Sequence, residues 1–171
     1  AVADLVEPQL ARSIGFANRG GFERLWLGQA IHGRYQEGAL AADPTYRREV
    51  VLRLELEHRG WRVAVSGRAD GLRKDPERGR VVEEIKSVRR EGQLSPAVRD
   101  LYERQARLYA WMLAKLEPGP VAAELVLIAI GGDGIERLEV AVDLDAIEAA
   151  VRRRLNQLLR EHDAERSARE E

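Results

Sequence analysis

The stretch Glu124–Ile130, ELVLIAI, constrains the chain most. It is bounded by Pro118-Gly119-Pro120 on one side and Gly131-Gly132-Asp133-Gly134 on the other, too short a span for a helix. An apolar strand without alternation is buried on both faces. The sheet containing it therefore needs cover on both sides, and the rest of the chain has to supply helices for that.

The remaining pattern supplies them. A short helix is expected from Asp4 to Ser13, and a second from Phe22 to Glu37, where Phe22, Leu25, Trp26, Gln29 and His32 share one face. Gly38 and Asp43-Pro44 break it. Leu52, Leu54 and Leu56 alternate with charged residues, as in a half-buried strand. His58-Arg59-Gly60 turns the chain into a second strand that starts at Trp61 and ends in Arg68-Ala69-Asp70. Lys74 to Gly79 reads as a polar loop, and Arg80 to Ser87 as a third strand. Ser95-Pro96 opens a long helix, Ala97–Leu116, as an N-cap followed by proline in the first turn. Glu136–Val142 returns as a strand, and Asp143–Glu161 forms a last helix. The order ααβββαββα predicts one α/β domain over residues 1–171, a central mixed β-sheet flanked by helices.

Composition narrows the chemistry. At 44% hydrophobic and 33% charged residues, the 171-residue chain suits one packed core rather than disorder. It has no cysteine, which rules out disulfides and cysteine-ligated zinc or iron–sulfur centres. Any metal would sit on oxygen or imidazole. No run of 18 apolar residues and no signal-peptide stretch occurs, so a membrane is not expected and a cytoplasmic location is. The chain starts without Met, which points to a fragment of a longer protein.

The hairpin from Val65 to Ser87 carries the unusual charges. With three lysines against 25 arginines, a lysine on a strand is a marked choice. Period two places Val82, Glu84 and Lys86 on one face and Val81, Glu83 and Ile85 on the other. Asp70 lies fourteen residues before Glu84, after a Gly67 that suits a bend, so neighbouring strands would bring Asp70, Glu84 and Lys86 to one sheet edge. Two close carboxylates repel unless a cation intervenes, and Mg²⁺ or Mn²⁺ takes oxygen ligands of this kind. The Ile85 carbonyl would add another oxygen, and Lys86 would orient water or offset developing charge. His32, four residues after Gly28 on one helical face, is either a hydrogen-bonded half-buried histidine or a third metal ligand. In the long helix, Gln105 interrupts the apolar stripe Val98, Leu101, Tyr102, Leu108, Tyr109, Met112, Leu116. With Tyr109 one turn on, it forms a polar ledge. Residues 86–107 hold six basic side chains, Arg89, Arg90 and Arg104 among them, against three acidic ones, in a chain of net charge −1. That local excess suits a phosphate backbone.

The series Gly28-x-x-x-His32, Gly67-x-x-Asp70, Glu84-Ile85-Lys86 and Gln105-x-x-x-Tyr109 resembles the RecB-type branch of the PD-(D/E)XK nucleases, which includes the CRISPR-associated exonucleases. The resemblance covers Gly28 to Tyr109. It implies a restriction-endonuclease-like core and a Mg²⁺- or Mn²⁺-dependent DNA nuclease, by family default an exonuclease on single-stranded DNA, of the sort used in DNA repair. It further implies His32, Asp70, Glu84 and Ile85 as metal ligands and Asp70, Glu84 and Lys86 as catalytic residues. Gln105, Tyr109, Arg89, Arg90 and Arg104 would contact nucleic acid. Glu49 sits where some members carry another acid. Many relatives close their ends with a four-cysteine iron–sulfur cluster, and this chain has no iron–sulfur cluster to offer. The N-terminal VADLVEPQLARS more loosely resembles nuclease modules fused to XPD/DinG-type helicases, implying a helicase domain in cis. Two other readings compete: a silent nuclease fold that grips DNA or protein, and a structural domain whose Asp70, Glu84 and Lys86 are paired off with arginines.

Overall fold

The structure is a computed structural model that describes residues 21–89 and 94–170, with side chains for 27–89 and 94–168. The expected helix Asp4–Ser13 and Arg90 lie outside the described residues. Helix α1 spans Gly21–Ala42, strand β1 Arg47–His58, β2 Trp61–Asp75 and β3 Gly79–Val88. Helix α2 spans Pro96–Leu116, β4 Val121–Ala129, β5 Ile135–Val140 and helix α3 Leu144–Glu170. The strands form one mixed sheet in the order β1-β2-β3-β4-β5. All neighbours are antiparallel except β3 and β4, which run parallel and are joined through α2. This is the expected α/β architecture, a mixed sheet flanked by helices.

β4 behaves as its composition demands. Ala123 to Ile128 are all buried, because α2 covers one face of the sheet and α1 the other. Under α2, Val82, Leu125 and Leu127 pack with Leu108, Met112 and Leu113, and α3 closes the layer with Ile147, Val151 and Leu155. Under α1, Ile85, Val126 and Ile128 meet Ile31 and Tyr35. The long helix starts where its cap predicts: the Ser95 hydroxyl accepts from the Val98 N–H at 3.3 Å, with Pro96 next. α2 packs against both the sheet and α3, so its buried surface is broader than one stripe and takes in Ala106, Ala110 and Trp111.

One boundary differs from expectation in a way that matters. β2 does not stop at Asp70 but continues to Asp75, with the turn at residues 76–78. Leu72 is buried against Val82 of β3, and that pairing extends the strand through charged residues. Asp70 consequently sits mid-strand between two inner strands, not at a sheet edge. Val65 and Ala69 pack under α2, but so does Leu72, three residues after Ala69 rather than two or four. The alternation therefore slips by one across Asp70-Gly71. Opposite the slip, Glu49 of β1 has φ +52°, in the left-handed region. The sheet is locally irregular on two adjacent strands, and the candidate site lies there.

Candidate active site

β2 and β3 pair from Asp75↔Gly79 up to Gly71↔Glu83 and then part. Asp70 fills the split: its Oδ2 accepts the Ile85 N–H at 2.8 Å, in place of a strand carbonyl. In an extended strand a residue's N–H and C=O lie on the same side, so the Ile85 carbonyl faces Asp70 as well. Glu84 shares a face with Lys86, as the period predicts, and Lys86 Nζ stands 2.6 Å from Glu84 Oε1. Glu84 is buried, while the Lys86 side chain keeps about a quarter of its surface exposed.

Three elements close around this pair. From α1, Gly28 approaches β3 closely: a methyl group there would stand 3.4 Å from Ser87 Oγ. One turn on, His32 comes within electrostatic reach of Asp70, Lys86 and Glu49. A further turn brings Gln36, buried, whose Nε2 donates to the Asp70 carbonyl at 2.9 Å and to Glu49 Oε1 at 3.0 Å. Glu49 also pairs with Arg68 at 2.7 Å. From α2, the Tyr102 ring lies 4.8 Å from Lys86 Nζ, and the Tyr109 hydroxyl comes near the Arg68 backbone N–H. Gln105 falls between these tyrosines on the same helical face, half-buried and with no hydrogen-bond partner among the described residues.

The electrostatics follow from burial. Desolvation pushes the Glu84 carboxyl up to about 7; Lys86 opposes that rise and Asp70 adds to it. Burial also raises Asp70, against the Ile85 N–H and the charges of Lys86 and His32. It lowers His32, against the pull of Asp70. For Lys86, burial would lower the ammonium, but Glu84 beside it prevails and the group is raised. Tyr109 is pushed up to about 12 by burial and by Glu84 and Asp70. Two carboxyls are thus held above their ordinary range, short of positive charge.

Their oxygen donors and an imidazole have the right chemistry for a hard divalent cation. As the side chains stand, however, no three His, Asp or Glu groups among the described residues gather closely enough to hold one. Lys86 holds Glu84 Oε1 and the Ile85 N–H holds Asp70 Oδ2, which leaves each carboxylate a second oxygen to offer.

The arginines divide differently from the sequence expectation. Arg89 is exposed at the end of β3. Arg104 pairs with Asp100 at 2.8 Å and lines a groove of about 670 Å³ between α2 and α3 with Arg107, Arg153 and Arg154. The ledge of Gln105 and Tyr109 faces the cluster; Arg104 faces the groove beside it. Among the described residues neither Asp70 nor Glu84 is paired with an arginine, which weighs against a purely salt-bridged structural role.

The arginine pairs are on the other face of the sheet, at residues the sequence did not single out. Glu83, fully buried, receives Tyr35 Oη and Tyr46 Oη on Oε2, both at 3.0 Å. Its Oε1 takes Arg137 at 2.7 Å and lies 3.4 Å from Arg73. Glu124 on β4 extends the network to Arg73, Arg78 and Arg137. Gly71 makes room for it: a methyl group there would overlap the Tyr46 hydroxyl and stand 2.9 Å from Glu83 Oε2. Gly71→Ala is therefore expected to destabilise the protein by about 1–3 kcal/mol, the usual cost of overpacking. Denaturant unfolding checks this, and Tyr46→Phe in the same background should recover part of the loss.

No protein-family model matches the chain, and no curated protein matches it in sequence. Among solved structures, the crystal structure of SSO0001 is 24% identical, with a TM-score of 0.63 over 92% of this chain and 73% of that one. That likeness is one of fold. A second, from Eubacterium rectale and provisionally assigned as an exonuclease, is 12% identical with a TM-score of 0.48. It covers 75% of this chain and 52% of its own.

Proposed function

We propose that the chain is a divalent-metal-dependent deoxyribonuclease of the RecB-type branch of the PD-(D/E)XK nucleases, acting as an exonuclease on single-stranded DNA. One observation carries the reading: Lys86 is held at 2.6 Å by a buried Glu84, beside an Asp70 that occupies a split between two inner strands. An apolar core gains nothing from two desolvated carboxyls, whereas hydrolysis of a phosphodiester needs them.

Asp70, Glu84 and His32, with the Ile85 carbonyl, would hold Mg²⁺ or Mn²⁺, which when bound polarises a phosphate oxygen and acidifies water. Lys86 is raised rather than lowered, so it remains an ammonium. Its part is to donate hydrogen bonds to a phosphate oxygen or to the attacking water and to offset negative charge in the transition state. It is not a base. Gln105, whose amide has no partner among the described residues, and Tyr109 would position the nucleotide. The exposed Arg89 would meet the backbone beyond it. A helicase domain in cis would deliver the strand.

The pH dependence has a definite sign. A proton on Glu84 competes with the metal, and Glu84 titrates near 7. Mn²⁺ affinity, read by calorimetry, should rise by at least roughly tenfold per pH unit between pH 5 and 7 and level off above, with Glu84 supplying one competing proton and Asp70 and His32 steepening the acid end. A flat profile over that range would remove Glu84 from the ligand set. Cleavage of end-labelled DNA tests the hydrolytic step itself.

A second reading, a catalytically silent module that binds DNA or protein, is favoured by the absence of a ready three-donor cluster among the described residues. It requires that saturating Mn²⁺ leave the protein's stability unchanged.

A further inference from the structure

Glu83 is the neighbour of Glu84 in sequence and its opposite in the sheet. It is fully buried and accepts three hydrogen bonds, from two phenols on one oxygen and from Arg137 on the other, with the Arg73 guanidinium as a further ion-pair partner at 3.4 Å. A buried ionic cluster of this sort is a poor way to gain stability, since well-packed apolar residues do as well or better. What it specifies is position. Three directed hydrogen bonds fix where α1, β5 and the chain before β1 sit relative to β3, and the Arg73 ion pair adds β2.

The α1 partner is the informative one. Tyr35 donates to Glu83 at 3.0 Å and accepts from Arg137 Nη2 at 2.5 Å. It lies three residues after His32 and directly before Gln36. His32 is the residue of α1 within reach of Asp70, and Gln36 holds the Asp70 carbonyl at 2.9 Å. Helix rise is about 1.5 Å per residue, so a tie at Tyr35 sets the height of both neighbours over the split strands.

We propose that Glu83 and Tyr35 form a positioning device that seats α1 on the far side of β3, so that His32 and Gln36 meet Asp70 in register. The proposal deepens the metal-site reading above and rests on it for its consequence, though not for its geometry. Neither residue touches the reacting atoms.

The test compares three single variants. Glu83→Gln keeps the shape and removes the charge; because it leaves Arg73 and Arg137 without it, Tyr35→Phe decides the matter if that variant fails to fold. Tyr46→Phe, which loses a bond to the same Glu83 oxygen but no tie to α1, is the control. The chain has three histidines, and His58 and His162 lie elsewhere: His58 meets Asn156 of α3 at 2.7 Å, and the His162 ring lies 5.7 Å from Trp61. The Cε1–Hε1 NMR signals therefore separate local from general change, and Tyr→Phe keeps the ring, so a shift reports displacement. In Tyr35→Phe the His32 signal should move while those of His58 and His162 stay, and Mn²⁺ affinity should fall by roughly tenfold, as when a supporting contact behind a metal ligand is removed. Tyr46→Phe should lower stability without moving His32. An unmoved His32 signal in folded Tyr35→Phe overturns the proposal. If the parent protein does not bind Mn²⁺, the metal reading fails by itself and the His32 signal still decides the positioning role.

Discussion

Lys86→Ala is expected to reduce Mn²⁺-dependent cleavage of DNA by on the order of a hundred- to a thousandfold, the range for losing one preorganised donor at a developing charge. The loss should fall on kcat more than on KM, because Lys86 is asked to act on the transition state. Stability provides an independent check with a definite sign. Glu84 is already pushed up to about 7 by burial, and Lys86 is the charge that restrains it. A carboxyl raised in the folded state favours folding at low pH and withdraws that support as pH rises through its folded value. Removing Lys86 raises Glu84 further, so the variant should match the parent in stability near pH 5 and fall behind it by about 1 kcal/mol or more at pH 8. Equal stability at both pH values, with cleavage intact, would mean that the close Lys86–Glu84 contact is incidental.

Asp70 separates architecture from chemistry, because its carboxylate has two jobs. It accepts the Ile85 N–H where the strands part, and it is one of the two charges proposed to bind metal. Asp70→Asn retains an oxygen for the N–H and loses the charge; Asp70→Ala loses both. Cleavage should fall about a thousandfold or more in either. The Ala variant should also lose about 1–3 kcal/mol, the cost of leaving a buried N–H unmade. The Asn variant should hold its stability at neutral pH, since burial already disfavours the Asp70 charge. Equal destabilisation in the two variants, with activity retained, would assign Asp70 to the fold alone.

The parts of the site legible in the sequence were those set by local period. Two-residue alternation sorted Glu84 and Lys86 from Glu83 and Ile85, and helical spacing set Gln105 between Tyr102 and Tyr109 on one face. The unalternating β4 run required cover on both sides, which α1 and α2 provide. What sequence could not give was the reach between elements. β2 was cut short at Asp70 because charged residues follow, yet pairing with β3 carries it to Asp75. Alternation put Glu83 on the face of Val81 and Ile85 but gave no hint of its partners Tyr35, Arg73 and Arg137, which are 48, 10 and 54 residues away. The slip of alternation at Asp70-Gly71 is invisible without knowing that Ala69 and Leu72 share a face. Arg104 counted toward a local basic excess that the fold distributes onto two surfaces.

The central claim is metal-dependent hydrolysis at the Asp70–Glu84–Lys86 cluster. Its most direct measurement is the cleavage of end-labelled single- and double-stranded DNA in Mn²⁺, Mg²⁺ or EDTA, with Lys86→Ala in parallel. The expected result is a ladder of products from single-stranded DNA that requires the metal, vanishes in EDTA and is lost in Lys86→Ala. Intact DNA under every condition, from protein shown to be folded and to bind the strand, would contradict the claim and leave the cluster as part of a binding module.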